Sequence, residues 1–164
     1  MARARHVDLD PRVPVGQWPA EAIEAAIDRG SLTEWRRLAT EIRRSPWGQT
    51  ARTVLEVTSW KEHPGVDEVL RAMVDHARHQ LVAAGRARWA GYVRGLRAGT
   101  GLSMRDFAVI AGTSASRLSD YENARMAPTT DALARLEHAA DLGSVHRLHT
   151  GPRATGHGAD TGAS

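Results

Sequence analysis

The chain contains no cysteine, one phenylalanine, two tyrosines and a single lysine, Lys61. Without thiols there is no disulfide framework, no thiolate zinc site and no cysteine nucleophile. No apolar run approaches the roughly 20 residues that a membrane-spanning helix needs. The opening MARARHVDLDPRVPVG lacks the apolar centre of a secretory signal, so a cytoplasmic protein is expected. Strand alternation and internal repeats are also missing, which leaves an all-α fold. What is present is ordinary for a globular chain: 164 residues, 41% hydrophobic and 25% charged, enough for one ordinary domain or two small ones.

Four segments follow from composition and periodicity. Residues 1–17 are basic, proline-containing and aperiodic, and residues 150–164 (TGPRATGHGADTGAS) are small, polar and glycine-rich; both are expected to be disordered. Arg3 and Arg5 are interrupted by alanine and followed by Asp8 and Asp10, the pattern of a solvated tail rather than of a minor-groove arm. Residues 18–85 read as a helical module for dimerisation or partner binding. Pro19 opens a helix that Gly30 stops, and Ser31 with Glu34 has the spacing of a capping box for a second helix carrying Leu32, Trp35, Leu38, Ala39 and Ile42. Pro46 can start a third helix, with Trp47, Ala51, Val54, Leu55 and Thr58 on one face. After a break at 61–65 a fourth carries Val66, Val69, Leu70, Met73, Val74, Ala77 and Leu81, and its pattern allows it to run on through Gly85 to Trp89, Val93 and Leu96. Four of the five tryptophans lie in this module. Trp35 and Trp47 are expected in the core; Trp18 and Trp60, at helix ends, are open to a dimer or partner interface.

The most informative stretch is GLSMRDFAVIAGTSASRLSDYENARMAP, from Gly101 to Pro128. Ser103 stands where an N-cap belongs, and Asp106 suits the positive end of the helix dipole. Phe107, Ala108 and Ala111 share a face, and Gly112 stops that helix. Ser114 caps the next, in which Leu118 and Tyr121 form an apolar back while Ala115, Ser116, Arg117 and Asp120 turn away from it. Two short helices around a tight turn, the second with a polar front, are the layout of a DNA-binding helix-turn-helix.

On these residues the stretch resembles the lambda-repressor-like, XRE-type helix-turn-helix regulators, from about Arg88 to Leu142; Glu122 and Pro128 also keep that family's spacing. The resemblance implies a DNA-binding domain over 86–149 whose second helix, 114–122, enters the major groove. Ser114, Ala115, Ser116, Arg117 and Asp120 then occupy positions facing DNA, with Ser103, Met104, Arg105 and Arg125 toward the backbone. Met104 stands where the family often has a phosphate-touching glutamine, which leaves only its amide for that contact. Ala124 stands where glycine is usual, and Asn123 is expected to take the left-handed conformation instead. Asp120 either accepts from a cytosine or, as favoured here, pairs with Arg117 along the helix.

Charge fits this division. The first 85 residues hold 12 basic and 12 acidic side chains, residues 86–138 hold 8 and 5, and the rest 2 and 2. The formal excess of +3 therefore sits in the DNA-binding segment. Other chemistry finds little footing. Asp75, His76 and His79 in VDHARHQ offer too few ligands for a metal and read as the wet side of a helix. The serines have no base and acid beside them, so no enzyme, cofactor or metal is expected. A double-stranded-DNA-binding regulator, foremost a homodimeric repressor on the nucleoid, leads the expectations. An antitoxin-like protein gripping a partner through residues 18–85, and an adaptor whose helix-turn-helix has lost DNA, are its rivals.

Overall fold

A computed structural model describes residues 12–60 and 65–149. Among them there are seven α-helices and no strand: α1 Ala20–Arg29, α2 Leu32–Arg44, α3 Gln49–Trp60, α4 Val66–Thr100, α5 Met104–Ile110, α6 Ala115–Glu122 and α7 Thr130–His149. The fold is all-α. The described residues group into two units that divide between Val82 and Ala83. Residues 1–11 and 150–164, where most of the disordered arm and tail was expected, lie outside the described part, as do residues 61–64 of the break.

In the first unit, α1, α2, α3 and the beginning of α4 surround Ile23, Ile27, Leu38, Ile42, Val54, Leu70 and Val74. Burying each such side chain contributes about 1.5–3 kcal/mol. The folded chain begins earlier than residue 18: Val15–Gln17 forms a 3-10 turn with Val15 buried.

The tryptophan assignment is reversed for Trp18 and Trp47. Trp18 is 3% exposed and lies in the core. Its indole N–H donates to the Val13 carbonyl at 3.2 Å, and the Arg37 guanidinium covers its ring at 4.7 Å. Trp47 is 50% exposed, because α3 starts only at Gln49 and leaves Trp47 on the Pro46–Gly48 turn, with the Arg78 guanidinium 5.8 Å from its ring. Trp35 is half-buried and Trp60 exposed.

The capping box does not form either. Ser31 is the N-cap of α2 but makes no side-chain cap bond. Glu34 is instead forked by Arg29, at 2.6 and 3.2 Å, which draws it away from the Ser31 amide.

In the fourth helix Leu70, Val74 and Ala77 are buried, whereas Val69 and Leu81 are exposed. α4 continues through Gly85 without a break, and its last turns belong to the second unit. There Val93, Phe107, Ala108, Ala111, Leu118, Tyr121, Leu136 and Ala139 form the core.

The Tyr92 hydroxyl donates to Glu137 Oε1 at 2.7 Å, tying α4 to α7. That bond, together with desolvation and the neighbouring carboxylates, pushes the phenol pKa up.

Gly143 lets α7 pass close to the end of α4: a Cβ there would sit 2.7 Å from Thr100 Cγ2 and 2.8 Å from Thr100 Cβ. Thr100 cannot yield easily, since its hydroxyl donates to the Arg97 carbonyl at 2.7 Å and accepts from the Leu102 amide at 3.1 Å. Gly143→Ala is expected to lower stability by about 1–3 kcal/mol through overpacking. Urea unfolding followed by circular dichroism checks this, and an unchanged midpoint would show that α7 shifts at no cost.

Candidate nucleic-acid interface

The two short helices of the second unit are bounded by the residues expected to bound them. Ser103, the N-cap of α5, accepts from the Asp106 amide at 3.2 Å and donates to Asp106 Oδ2 at 2.6 Å. Ser114, the N-cap of α6, accepts from the Arg117 amide at 3.1 Å. Each hydroxyl thus satisfies one of the amides that a helix start leaves without a partner.

Gly112 turns the chain with φ +61°. Its amide donates to the Val109 carbonyl at 3.1 Å and the Thr113 amide to the Ala108 carbonyl at 2.9 Å, the paired bonds of a Schellman end. From α7, Arg135 Nη1 donates to the Gly112 carbonyl at 3.2 Å and braces the turn.

Behind this turn Phe107, Leu118 and Tyr121 are buried in one cluster. With Leu118 and Tyr121 inward, the 3.6-residue period turns Ser116 and Arg117 outward; both are exposed, as is Ala115 in the first turn of α6. The Arg117 guanidinium has no hydrogen-bond or ion-pair partner among the described residues. Arg105 and Arg125 are exposed; Met104 is half-buried and packs against the core.

Two expectations about this region are corrected. Asp120 pairs with Arg125 rather than Arg117, at 3.3 Å from Nη1 to Oδ1. The end of α6 explains this: the Arg125 and Met126 amides donate to the Asp120 carbonyl at 3.0 and 3.3 Å, which brings the chain after the helix back beside Asp120.

The left-handed residue is Ala124, with φ +58°, while Asn123 keeps φ −99°. Asn123 is held in the last helical turn by bonds from its backbone amide and its side-chain Nδ2 to the Ser119 carbonyl, at 3.0 and 2.8 Å. The reversal therefore falls on the next residue.

Sequence reasoning missed what fixes α6 from behind. Glu122 is 5% exposed, and its carboxylate is forked by Arg97, with Nε to Oε1 at 2.7 Å and Nη2 to Oε2 at 3.1 Å. Arg94 donates to the Glu122 carbonyl. The hydrogen bond to Glu122 is the leading reason that the Arg97 pKa is raised further. The partners stand 25 and 28 residues apart, and no local pattern marks such a pair. The signals at Glu122 were an acidic residue next to the apolar back set by Leu118 and Tyr121, and its match to the spacing of the resembled family; neither named its partner.

His76 and His79 are both exposed, and no group of three His, Asp or Glu side chains suited to a metal occurs among the described residues. No helix among them is long and apolar enough to cross a membrane.

This fold and turn define a helix-turn-helix domain. Residues 88–149 match a family model described as a helix-turn-helix domain, in keeping with the resemblance to XRE-type regulators. No curated protein and no solved structure matches the chain.

Two variants separate the forces at the end of α6. Glu122→Gln keeps the shape but strands the Arg97 charge, and should cost about 2–3 kcal/mol, below the largest buried-pair losses because Arg97 retains some contact with water. Ala124→Gly should raise stability by about 0.5–1 kcal/mol. Relief of the left-handed alanine, about 1–2 kcal/mol, outweighs the entropy that glycine adds to the unfolded chain. Denaturant midpoints moving in opposite directions would bear both out; a fall for Ala124→Gly would contradict the strain assigned to Ala124.

Proposed function

We propose that the protein is a sequence-specific, double-stranded-DNA-binding transcriptional regulator acting on the nucleoid in the cytoplasm, and that it represses by occluding a promoter. The observation that carries this is the free, outward-facing Arg117 beside Ala115 and Ser116, on a helix whose opposite side is held by Leu118, Tyr121 and Glu122. A helix anchored from behind, with one long cationic side chain and two small residues in front, can enter a major groove without steric conflict.

In this function Arg117 contacts a base edge, with guanine O6 and N7 the best match for its two-pronged donor face. Ser114, Ala115 and Ser116 lie against phosphate or base edges. Asp120 holds Arg125 toward the backbone instead of reading a base, and Ser103, Met104 and Arg105 flank the same strand. The domain works as a homodimer on two half-sites about 34 Å apart.

Sites selected in vitro from random duplex supply the ligand for the test. Arg117→Ala should then lose roughly 1–3 kcal/mol of affinity for the selected site, about 5- to 150-fold, with an unchanged unfolding midpoint. Unaltered affinity would remove Arg117 from the interface. Wild-type protein that shows no salt-dependent binding to any duplex would overturn the DNA reading and leave the adaptor.

A further inference from the structure

Within the second unit, Gly91 and Gly95 lie one turn apart in the middle of α4, and the domain's own packing requires neither. A Cβ at Gly95 would meet no atom within 4 Å, and one at Gly91 would meet only Arg94 Nη2 at 4.0 Å. Gly143 is the contrast, since its missing Cβ is demanded by Thr100. Glycine inside a helix is less favourable than alanine, because it loses more backbone freedom on folding. Two such residues with open space before them suit a helix surface that something outside the domain approaches closely.

They line an open groove of about 510 Å³, together with Gly99 and with Ala140, Asp141 and Ser144 of α7. Tyr92 also borders the groove. Trp89 packs edge-on against it, with ring centroids 6.0 Å apart at 76°. These are large apolar rings left in water, 40% exposed for Trp89 and 44% for Tyr92. Charge is divided in the same way. Among the described residues, Arg88, next to Trp89, has no hydrogen-bond or ion-pair partner, and Asp141, on the groove, has none either.

We infer that this α4–α7 face pairs with the same face of a second copy of the chain. The surface carries a projecting aromatic and a recess, a free cation and a free anion. A two-fold axis satisfies all four at once, with Trp89 of each copy entering the groove of the other and Arg88 reaching Asp141. An unrelated partner would call for only one of each complementary feature. The aromatic rings supply the buried anchors on which interfaces chiefly depend, and the bare backbone at Gly91 and Gly95 lets the second helix come near. This pairing is independent of the DNA reading, and it moves self-association from the N-terminal helical module to the DNA-binding unit.

Sedimentation equilibrium of the full chain without DNA tests the inference. The wild type should be a reversible dimer. Gly95→Ala should raise the dissociation constant about tenfold or more, yet raise the unfolding midpoint measured at a dilution where both proteins are monomeric; a purely structural glycine would not separate the two. Trp89→Glu and Asp141→Arg should each weaken the dimer at least as much, and Arg88→Asp combined with Asp141→Arg should restore it. A wild type that stays monomeric across the concentration range, or a dimer unmoved by Gly95→Ala and Trp89→Glu, overturns the inference. A dimer of this kind that ignores duplex DNA upholds it while removing the function proposed above. A chain that is monomeric alone yet binds duplex overturns the inference and leaves DNA binding standing, with any pairing then made only on the DNA.

Discussion

The second unit is organised around one constraint: the Glu122 carboxylate lies in an apolar core and must meet the Arg97 guanidinium there. Moving a carboxylate out of water costs several kcal/mol unless it is fully partnered, so the ion pair tolerates little displacement. Glu122 is the last residue of α6, and pinning it fixes the rotation of that short helix about its axis. With residue 122 held toward α4, the helical period sends Leu118 and Tyr121 inward and Ser116 and Arg117 outward. The exposed front is thus set by a contact on the opposite side of the helix.

The same pin explains an apparent defect. Both α5 and α6 end in the same pair of backbone bonds, from the left-handed residue to the carbonyl three back and from its successor to the carbonyl five back. At the end of α5 the left-handed residue is Gly112; at the end of α6 it is Ala124. Since Glu122 must remain helical to reach Arg97, and Asn123 is bonded to the Ser119 carbonyl, no earlier residue can reverse the chain. The strain at Ala124 is therefore a consequence of anchoring α6. Its return places Arg125 beside Asp120, neutralising the one acidic side chain near the front while leaving Arg117 unpaired. As an exposed pair, Asp120 and Arg125 add about 0–1 kcal/mol of stability, so the effect of the contact lies in charge placement.

The features legible in the sequence were those decided within a turn or two of the chain. Ser103 and Ser114 cap their helices because a hydroxyl three residues before an amide suffices, and Gly112 turns because it alone there lacks a Cβ. Periodicity likewise marked Leu38, Ile42, Leu70, Val74, Phe107 and Leu118 as inward. Errors arose where a distant or competing partner decided. Ser31 and Glu34 have capping-box spacing, but Arg29 captures the glutamate. Trp47 has helical spacing to Ala51 and Val54, yet the turn at Pro46 keeps it outside α3, whereas Trp18 is drawn inward by the Val13 carbonyl and covered by Arg37 from α2. Asp120 was paired along the helix with Arg117, the nearer cation in sequence, while the reversal after α6 delivered Arg125. In each case the local pattern was real and a longer-range interaction was stronger.

These placements bear on how such a front can discriminate between sequences. Ala115 and Ser116 are short, and Asp120 is occupied by Arg125, so on the proposed function nearly all direct base readout by α6 falls to Arg117. A single two-pronged contact distinguishes one base pair by about 1–3 kcal/mol, well short of the roughly 4–10 kcal/mol that separates specific from non-specific binding. Duplicating the contact on a rigidly spaced second copy adds the same increment again and imposes a half-site separation that random sequence seldom meets. A recognition helix this sparse therefore gains more from a fixed dimer than one rich in amide side chains. An interface within the DNA-binding unit would set the spacing of the two α6 helices more directly than one in the N-terminal module, because the glycine-lined face and α6 are parts of the same packed unit.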